Sequence, residues 1–145
     1  MDFDAEIQDK LGFRKFTRIT GSRASGCISE GEAYLVDDDK KVFVKRCVKA
    51  NACQMVAGEF TSLQAIASTS TVRVPSPLCT VYAPDASSAV IVMEYLSLSS
   101  LKSQHRLGEQ LAELHAHNEK VRQEEEGNAS KIGMYKNNVA EPYVD

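Results

Sequence analysis

The chain has 145 residues, 43% of them apolar, which suits one soluble globular domain with a core of its own. With 17 basic and 20 acidic side chains the formal net charge is −3, the wrong sign for a dedicated nucleic-acid binder, whose phosphate contacts need a basic excess. No apolar run approaches the roughly 18 residues of a membrane span, and Met1-Asp2-Phe3-Asp4 lacks a signal-peptide profile, so no membrane partner and a cytoplasmic setting are expected.

A short helix is expected over residues 4–13, with Ile7 and Leu11 one turn apart and Gly12 as its stop. Lys15 to Thr20 alternates weakly, as an edge strand does, and Gly21-Ser22-Arg23-Ala24-Ser25-Gly26 has the composition of a loop. Strand character resumes from Cys27 to Val36. After the polar turn Asp37-Asp38-Asp39-Lys40, a β-branched and aromatic run from Lys41 to Cys47 completes an antiparallel hairpin. Ala52 to Ser68 has helical periodicity, with Met55, Leu63 and Ile66 on one stripe. Val74-Pro75-Ser76-Pro77 closes it and starts an extended segment. Two more strands follow, Leu78 to Ala83 and Ala89 to Leu96. Ser99 or Ser100 is placed to cap a last helix running to about His117, with the stripe Leu107, Leu111, Leu114. From Glu119 to Lys131 the composition turns charged and a linker is expected.

Lys45 closes the run Val42-Phe43-Val44-Lys45 and shares a face of its strand with Phe43 and Cys47. An ammonium there is costly unless it meets an anion. Glu59 lies four residues after Met55 and four before Leu63, where a carboxylate seeks a cation. Together they match a kinase requirement, a strand lysine held on nucleotide phosphates by a glutamate of the next helix. Gly26-Cys27-Ile28-Ser29-Glu30-Gly31, just before the lysine strand, stands where a hairpin covering phosphates would lie; it is neither G-x-G-x-x-G nor a Walker A loop. In kinases the strand in the place of Val90 to Leu96 runs into a hinge whose backbone bonds the adenine, so that Met93 would border an adenine and Glu94 and Leu96 would offer main-chain groups to it. The four cysteines form no C-x-x-C pair and are expected to be reduced thiols. His115 and His117 lie two apart on a helix and face different directions, so no metal ligand set is expected.

The strings Gly26-Cys27-Ile28-Ser29-Glu30-Gly31, Val42-Phe43-Val44-Lys45, Gln54-Met55 with Gly58-Glu59, Val72-Arg73-Val74-Pro75-Ser76-Pro77, Val92-Met93-Glu94 and Leu107-Gly108-Glu109-Gln110-Leu111-Ala112-Glu113-Leu114-His115 resemble the fructosamine-3-kinase and ketosamine-3-kinase family. The resemblance covers residues 24–118 well and continues more weakly to Glu141-Pro142-Tyr143-Val144-Asp145. It implies an α+β, protein-kinase-like small lobe, an antiparallel five-stranded sheet with one packed helix, over residues 1–96. Residues 97–120 would then be the first helix of a large lobe and residues 121–145 a linker into it. It also implies ATP with Mg²⁺, and phosphorylation of the sugar 3-hydroxyl of a ketosamine on a glycated protein or a small molecule, leading to deglycation. On this resemblance Lys45, Glu59, Gly26, Ser29, Gly31, Met93, Glu94, Tyr95 and Leu96 would hold the nucleotide. Cys27 corresponds to a loop cysteine associated with disulfide-linked homodimers. The family's His-Gly-Asp catalytic loop and its downstream metal-binding aspartate have no counterpart in this sequence. The catalytic base and metal ligands are therefore expected in a lobe beyond it, and the chain alone is expected to be inactive. The alternatives are a non-catalytic small-lobe protein with redox-dependent dimerisation, and a kinase of the aminoglycoside or choline group.

Overall fold

The structure, a computed structural model, describes residues 2–22, 24–25, 29–97 and 104–127. Its sheet is antiparallel, built from β1 (Phe16–Arg18), β2 (Ala24–Ser25), β3 (Ser29–Val36), β4 (Lys41–Val48), β5 (Pro77–Tyr82) and β6 (Ser88–Glu94). A five-strand path runs β1-β3-β4-β6-β5, and β2 pairs with β3 beyond β1 on the same edge. Part of the stretch expected as loop thus belongs to that edge. Ser22 patches the gap between the two short strands: its Oγ accepts the Ala33 N–H at 3.0 Å and donates to the Ile19 carbonyl at 2.7 Å. A 3-10 turn, Asp37–Asp39, closes the β3–β4 hairpin.

Period-two alternation sends the side chains of β4 and β6 to two separate cores. Val42, Val44, Val90 and Val92 join Tyr34, Val36, Cys79, Val81 and Ile7 on one face. Cys47, Ala89, Ile91 and Met93 join Ala52 and Val56 on the other. A sheet buried on both faces explains why Ala-Val-Ile-Val-Met in β6 reads as a continuous apolar run. Each fully buried side chain of this kind, such as Ile91, contributes about 1.5–3 kcal/mol.

Helix α1 (Phe3–Leu11) covers the first face through Ile7, with Leu11 partly buried beside it. Asp2 caps its start by accepting the N–H groups of Asp4 and Ala5, and Gly12 ends it in the left-handed region at φ 69°. The helix is also tied down by charge. Arg46 reaches across to Asp4, and the Tyr34 hydroxyl sits between Asp4 and the guanidinium groups of Arg46 and Arg18. Burial works against the Arg46 charge, yet Tyr34 and Asp4 outweigh it and hold its pKa above the usual value.

Helix α2 (Ala52–Thr69) covers the second face, packing chiefly on β5 and β6 and less on β4. Its buried residues are Ala52 and Val56, one turn apart, with Met55, Phe60 and Leu63 at the flanks. The stripe is therefore centred one residue beyond the expected Met55. Val56, whose β-branched side chain is compact, takes the close position, and Met55 lies half-buried at the edge.

The described residues fall into two units, one ending at Ser97 and the other beginning at Gln104. Within the second, α3 runs from Gln104 to Gly127, about ten residues past the expected end at His117. The stretch expected as linker is helical because its charges interlock. Arg122 bonds Glu119 three residues back at 2.7 Å and pairs with Glu126 four ahead, and Glu, Gln, Arg and Lys are good helix formers. The Arg122 bond, with a second from the Gln123 amide, holds the Glu119 carboxyl at about 2, well below the ordinary range. Leu107 and Leu111 on the expected apolar stripe are exposed, and Leu114 is half-buried. Ser99 and Ser100, expected as caps, lie outside the described residues. Among the described residues no helix is long and apolar enough to cross a membrane.

Candidate functional site

The site is built on the second face of the sheet, where β3, β4 and β6 lie side by side and α2 leans over one half. Lys45 points to this face because Val44 and Arg46 point to the other. Glu59 points to the same place because it is one helical turn from Val56, which is packed on the sheet. The Lys45 ammonium donates to both carboxylate oxygens of Glu59, at 2.9 and 2.8 Å, and each side chain is 33% exposed. The pair is neither drowned in solvent nor sealed in the core. An ammonium has three donors, so a lysine held in this way still has capacity for an outside anion.

Directly across from Lys45 on β3 stands Gly31, and Ser29 stands across from Cys47. Of the stretch expected to cover phosphates, Ser29 and Gly31 therefore lie on the strand next to that of Lys45. Gly26 and Cys27 lie outside the described residues. Gly31 does not have the positive φ found at Gly12 and Gly21. What demands a glycine here is space: a Cβ at position 31 would lie 2.2 Å from Cζ of Phe43.

On the other side of β4, Met93 pairs with Phe43 and is 5% exposed. Glu94 ends β6. Its N–H donates to the Ser76 carbonyl at 2.8 Å. Its carboxylate is clamped by the Arg73 guanidinium and accepts the Ser76 N–H at 3.3 Å. Tyr95 and Leu96 follow the strand half-buried, and the Lys41 ammonium lies 5.5 Å from the Tyr95 ring centroid. Tyr95 is thus held by β4 as well as by its own chain, through a cation–π contact.

Lys45, Glu59, Ser29, Gly31 and Met93 are brought to one face, and Glu94, Tyr95 and Leu96 continue from its border. Sequence reasoning gives no role to two features found here. The Arg73–Glu94 clamp joins residues 21 apart, and no spacing rule announces it. Phe43 is two residues before Lys45 and so shares its face; period-two alternation is the signal for it. The histidines of α3 are exposed, and His105 lies 3.3 Å from Glu109. Among the described residues no three His, Cys, Asp or Glu side chains converge on a possible metal position. The described residues fit an anion such as a nucleotide phosphate, and they do not by themselves make a metal site.

A central-strand lysine clamped by the carboxylate of a helix packed on its face, beside an antiparallel hairpin, defines the small lobe of a protein-kinase-like fold. The crystal structure of a candidate fructosamine-3-kinase from Haemophilus somnus 129PT has this fold, with a TM-score of 0.52 at 20% identity over 78% of this chain and 38% of that one. The fructosamine kinase family pattern matches residues 3–138, and the chain belongs to that family. It is 42% identical over 130 residues to the ketosamine-3-kinase of Mus musculus, which covers 88% of this chain and 41% of the mouse protein. It is 36% identical over 104 residues to a chloroplastic protein-ribulosamine 3-kinase of Oryza sativa subsp. japonica, covering 70% and 30% of the two chains. The chain therefore spans less than half the length of these relatives.

Proposed function

We propose that this chain is the nucleotide-holding portion of an ATP-dependent kinase that phosphorylates the 3-hydroxyl of ketosamines, including fructosamines and ribulosamines on glycated protein lysines. Phosphorylation there labilises the adduct and frees the amine. The observation that carries the reading is the two-point contact of Lys45 with Glu59. Lys45 would meet the α- and β-phosphates, Glu59 would fix the direction of its ammonium, and the β3 hairpin with Ser29 and Gly31 would lie over them. Met93 to Leu96 would border the base, with the Glu94 carbonyl and the Leu96 N–H as its main-chain partners. Mg²⁺ would arrive with ATP and shield its phosphate charge. No residue of the chain is assigned as the base that takes the proton of the sugar hydroxyl, because the sequence has no His-Gly-Asp segment.

The test has two arms. Titration calorimetry with ATP and Mg²⁺ should detect binding to the chain, weakened at least tenfold by Lys45→Ala with the thermal melt still cooperative. The chain joined in frame to the remainder of the mouse relative should phosphorylate a fructosyl-lysine peptide, and Lys45→Ala should abolish that turnover. Turnover retained without the lysine would remove its assigned role. Measurable turnover by the 145-residue chain alone would show that a base has been overlooked.

A further inference from the structure

Phe43 stands two residues before Lys45 on β4, at the border of the proposed nucleotide pocket. Phe43 pairs with Ala33 on one side and Met93 on the other, and it points to the same face as Lys45. Its ring is turned toward the hairpin, so that Cζ, Cε1 and Cε2 lie 2.2, 2.8 and 3.2 Å from where a Cβ of Gly31 would be. The tip of the ring thus rests on the one residue of β3 that stands directly across from Lys45. The ring also packs against the cluster that contains Met93, which is left 5% exposed. Helix α2, which leans mainly on β5 and β6, adds Met55, Phe60 and Leu63 to the same cluster. One phenylalanine side chain thus touches both the cluster of the base-bordering methionine and the glycine beside the lysine.

We propose that Phe43 is a gate to the nucleotide cleft, its ring resting on Gly31 and swinging aside when a purine enters to lie between the hairpin and Met93. The proposal rests on the nucleotide-pocket reading above and adds a moving part to it. A half-buried phenylalanine with a glycine beneath its tip can change χ1 without forcing the backbone, whereas the fully buried valines of the opposite face cannot. An aromatic side chain laid over a glycine of the next strand also has a purely structural use, shielding exposed backbone. That use requires the ring to stay where it is, so the two roles predict different behaviour on binding.

The chain has five phenylalanines, so incorporation of 4-fluorophenylalanine gives five fluorine signals, and the one missing in Phe43→Leu belongs to position 43. ATP with Mg²⁺ is titrated into the labelled chain, with calorimetry run in parallel. The Phe43 signal is expected to shift or broaden with occupancy more than the other four. In Gly31→Ala, where the new methyl takes the resting place of the ring, the same signal is expected to move without any nucleotide. Phe43→Ala, which empties the space and leaves Gly31 in place, is expected to speed ATP association severalfold in stopped flow. A population of closed molecules reduces the fraction competent to bind, and the substitution removes it. ATP binding with a stationary Phe43 signal would overturn the gate while leaving the pocket intact, as would an unchanged association rate in Phe43→Ala. Absence of calorimetric binding by the wild-type chain would overturn the pocket and the gate together.

Discussion

Replacing Glu59 by glutamine tests whether the carboxylate orients the lysine or merely neutralises it. Gln keeps the length and one carbonyl acceptor but loses the charge and the symmetric two-point contact seen at 2.9 and 2.8 Å. Exposed ion pairs contribute about 0.2–1 kcal/mol, and breaking a fully buried one costs about 3–5 kcal/mol. With both side chains 33% exposed, the pair falls between these limits and nearer the first, at about 1–2 kcal/mol. For a unit of this size that is a drop in Tm of about 4–8 °C per kcal/mol. A lysine released from its acceptor regains up to about 2 kcal/mol of rotamer entropy, which a phosphate must then remove again. ATP binding should therefore weaken about 5- to 30-fold, at about 1.4 kcal/mol per tenfold. The assay is calorimetric titration of ATP with Mg²⁺ into wild type, Glu59→Gln, Lys45→Met and the double variant, with urea melts of all four. The double-mutant cycle should return a coupling of about 1–2 kcal/mol for ATP binding, within the range found for residues in contact. An affinity within twofold of wild type in Glu59→Gln, together with a measurable loss in the melt, would refute the orienting role and leave the pair as a structural contact.

Gly58 is exposed in the middle of α2, with nothing within 4 Å of where a Cβ would stand and no positive φ, so Gly58→Ala should raise stability by about 0.5–1 kcal/mol, read from urea melts. Asp37 accepts the N–H groups of Arg14 and Lys15 at 3.0 and 2.6 Å, and these bonds hold its carboxyl below the usual carboxylate range. A folded value below the unfolded value of about 3.9 means that its stabilisation is complete above that pH and fades as pH falls through the folded value. Asp37→Asn should therefore lower the Tm at neutral pH, and the gap to wild type should narrow in melts run progressively below about pH 4. Burial pushes the Cys79 thiol up, whereas Cys53 is half-buried at the start of α2, so a thiol reagent at pH 7–8 should modify Cys53 before Cys79, as peptide mapping would show. Faster labelling of Cys79 would mean that the face under α1 opens readily.

The Lys45–Glu59 contact is legible in the sequence because two independent periodicities converge on it. Alternation in Val42-Phe43-Val44-Lys45 fixes the face of the strand, and the spacing from Met55 to Glu59 to Leu63 fixes the side of the helix. Each leaves little freedom once the strand and helix are packed. What the periodicities do not encode is rotamer choice across strands. Phe43 falls on the right face by the same rule that places Lys45, but its lean toward Gly31 depends on the space between β3 and β4, which exists only after the hairpin has formed. The Arg73–Glu94 clamp and the Asp4–Tyr34–Arg46 cluster are hidden for the same reason, each joining residues at least 12 apart through side-chain ends.

The end of α3 departs from expectation on different grounds. Glu119 to Gly127 is as charged as a solvated linker, and net composition does not distinguish the two cases. Charge order does, since Glu119, Arg122 and Glu126 stand three and four apart and bond along one side of the helix. The same logic applies in reverse to Gly31. In the sequence its value lies in backbone freedom near a phosphate, yet its backbone is ordinary and its missing Cβ is what the fold uses. A glycine that is kept for a neighbour's ring rather than for its own φ ties β3 to the side chain of Phe43 on β4. Any substitution at position 31 must therefore act on Phe43 first.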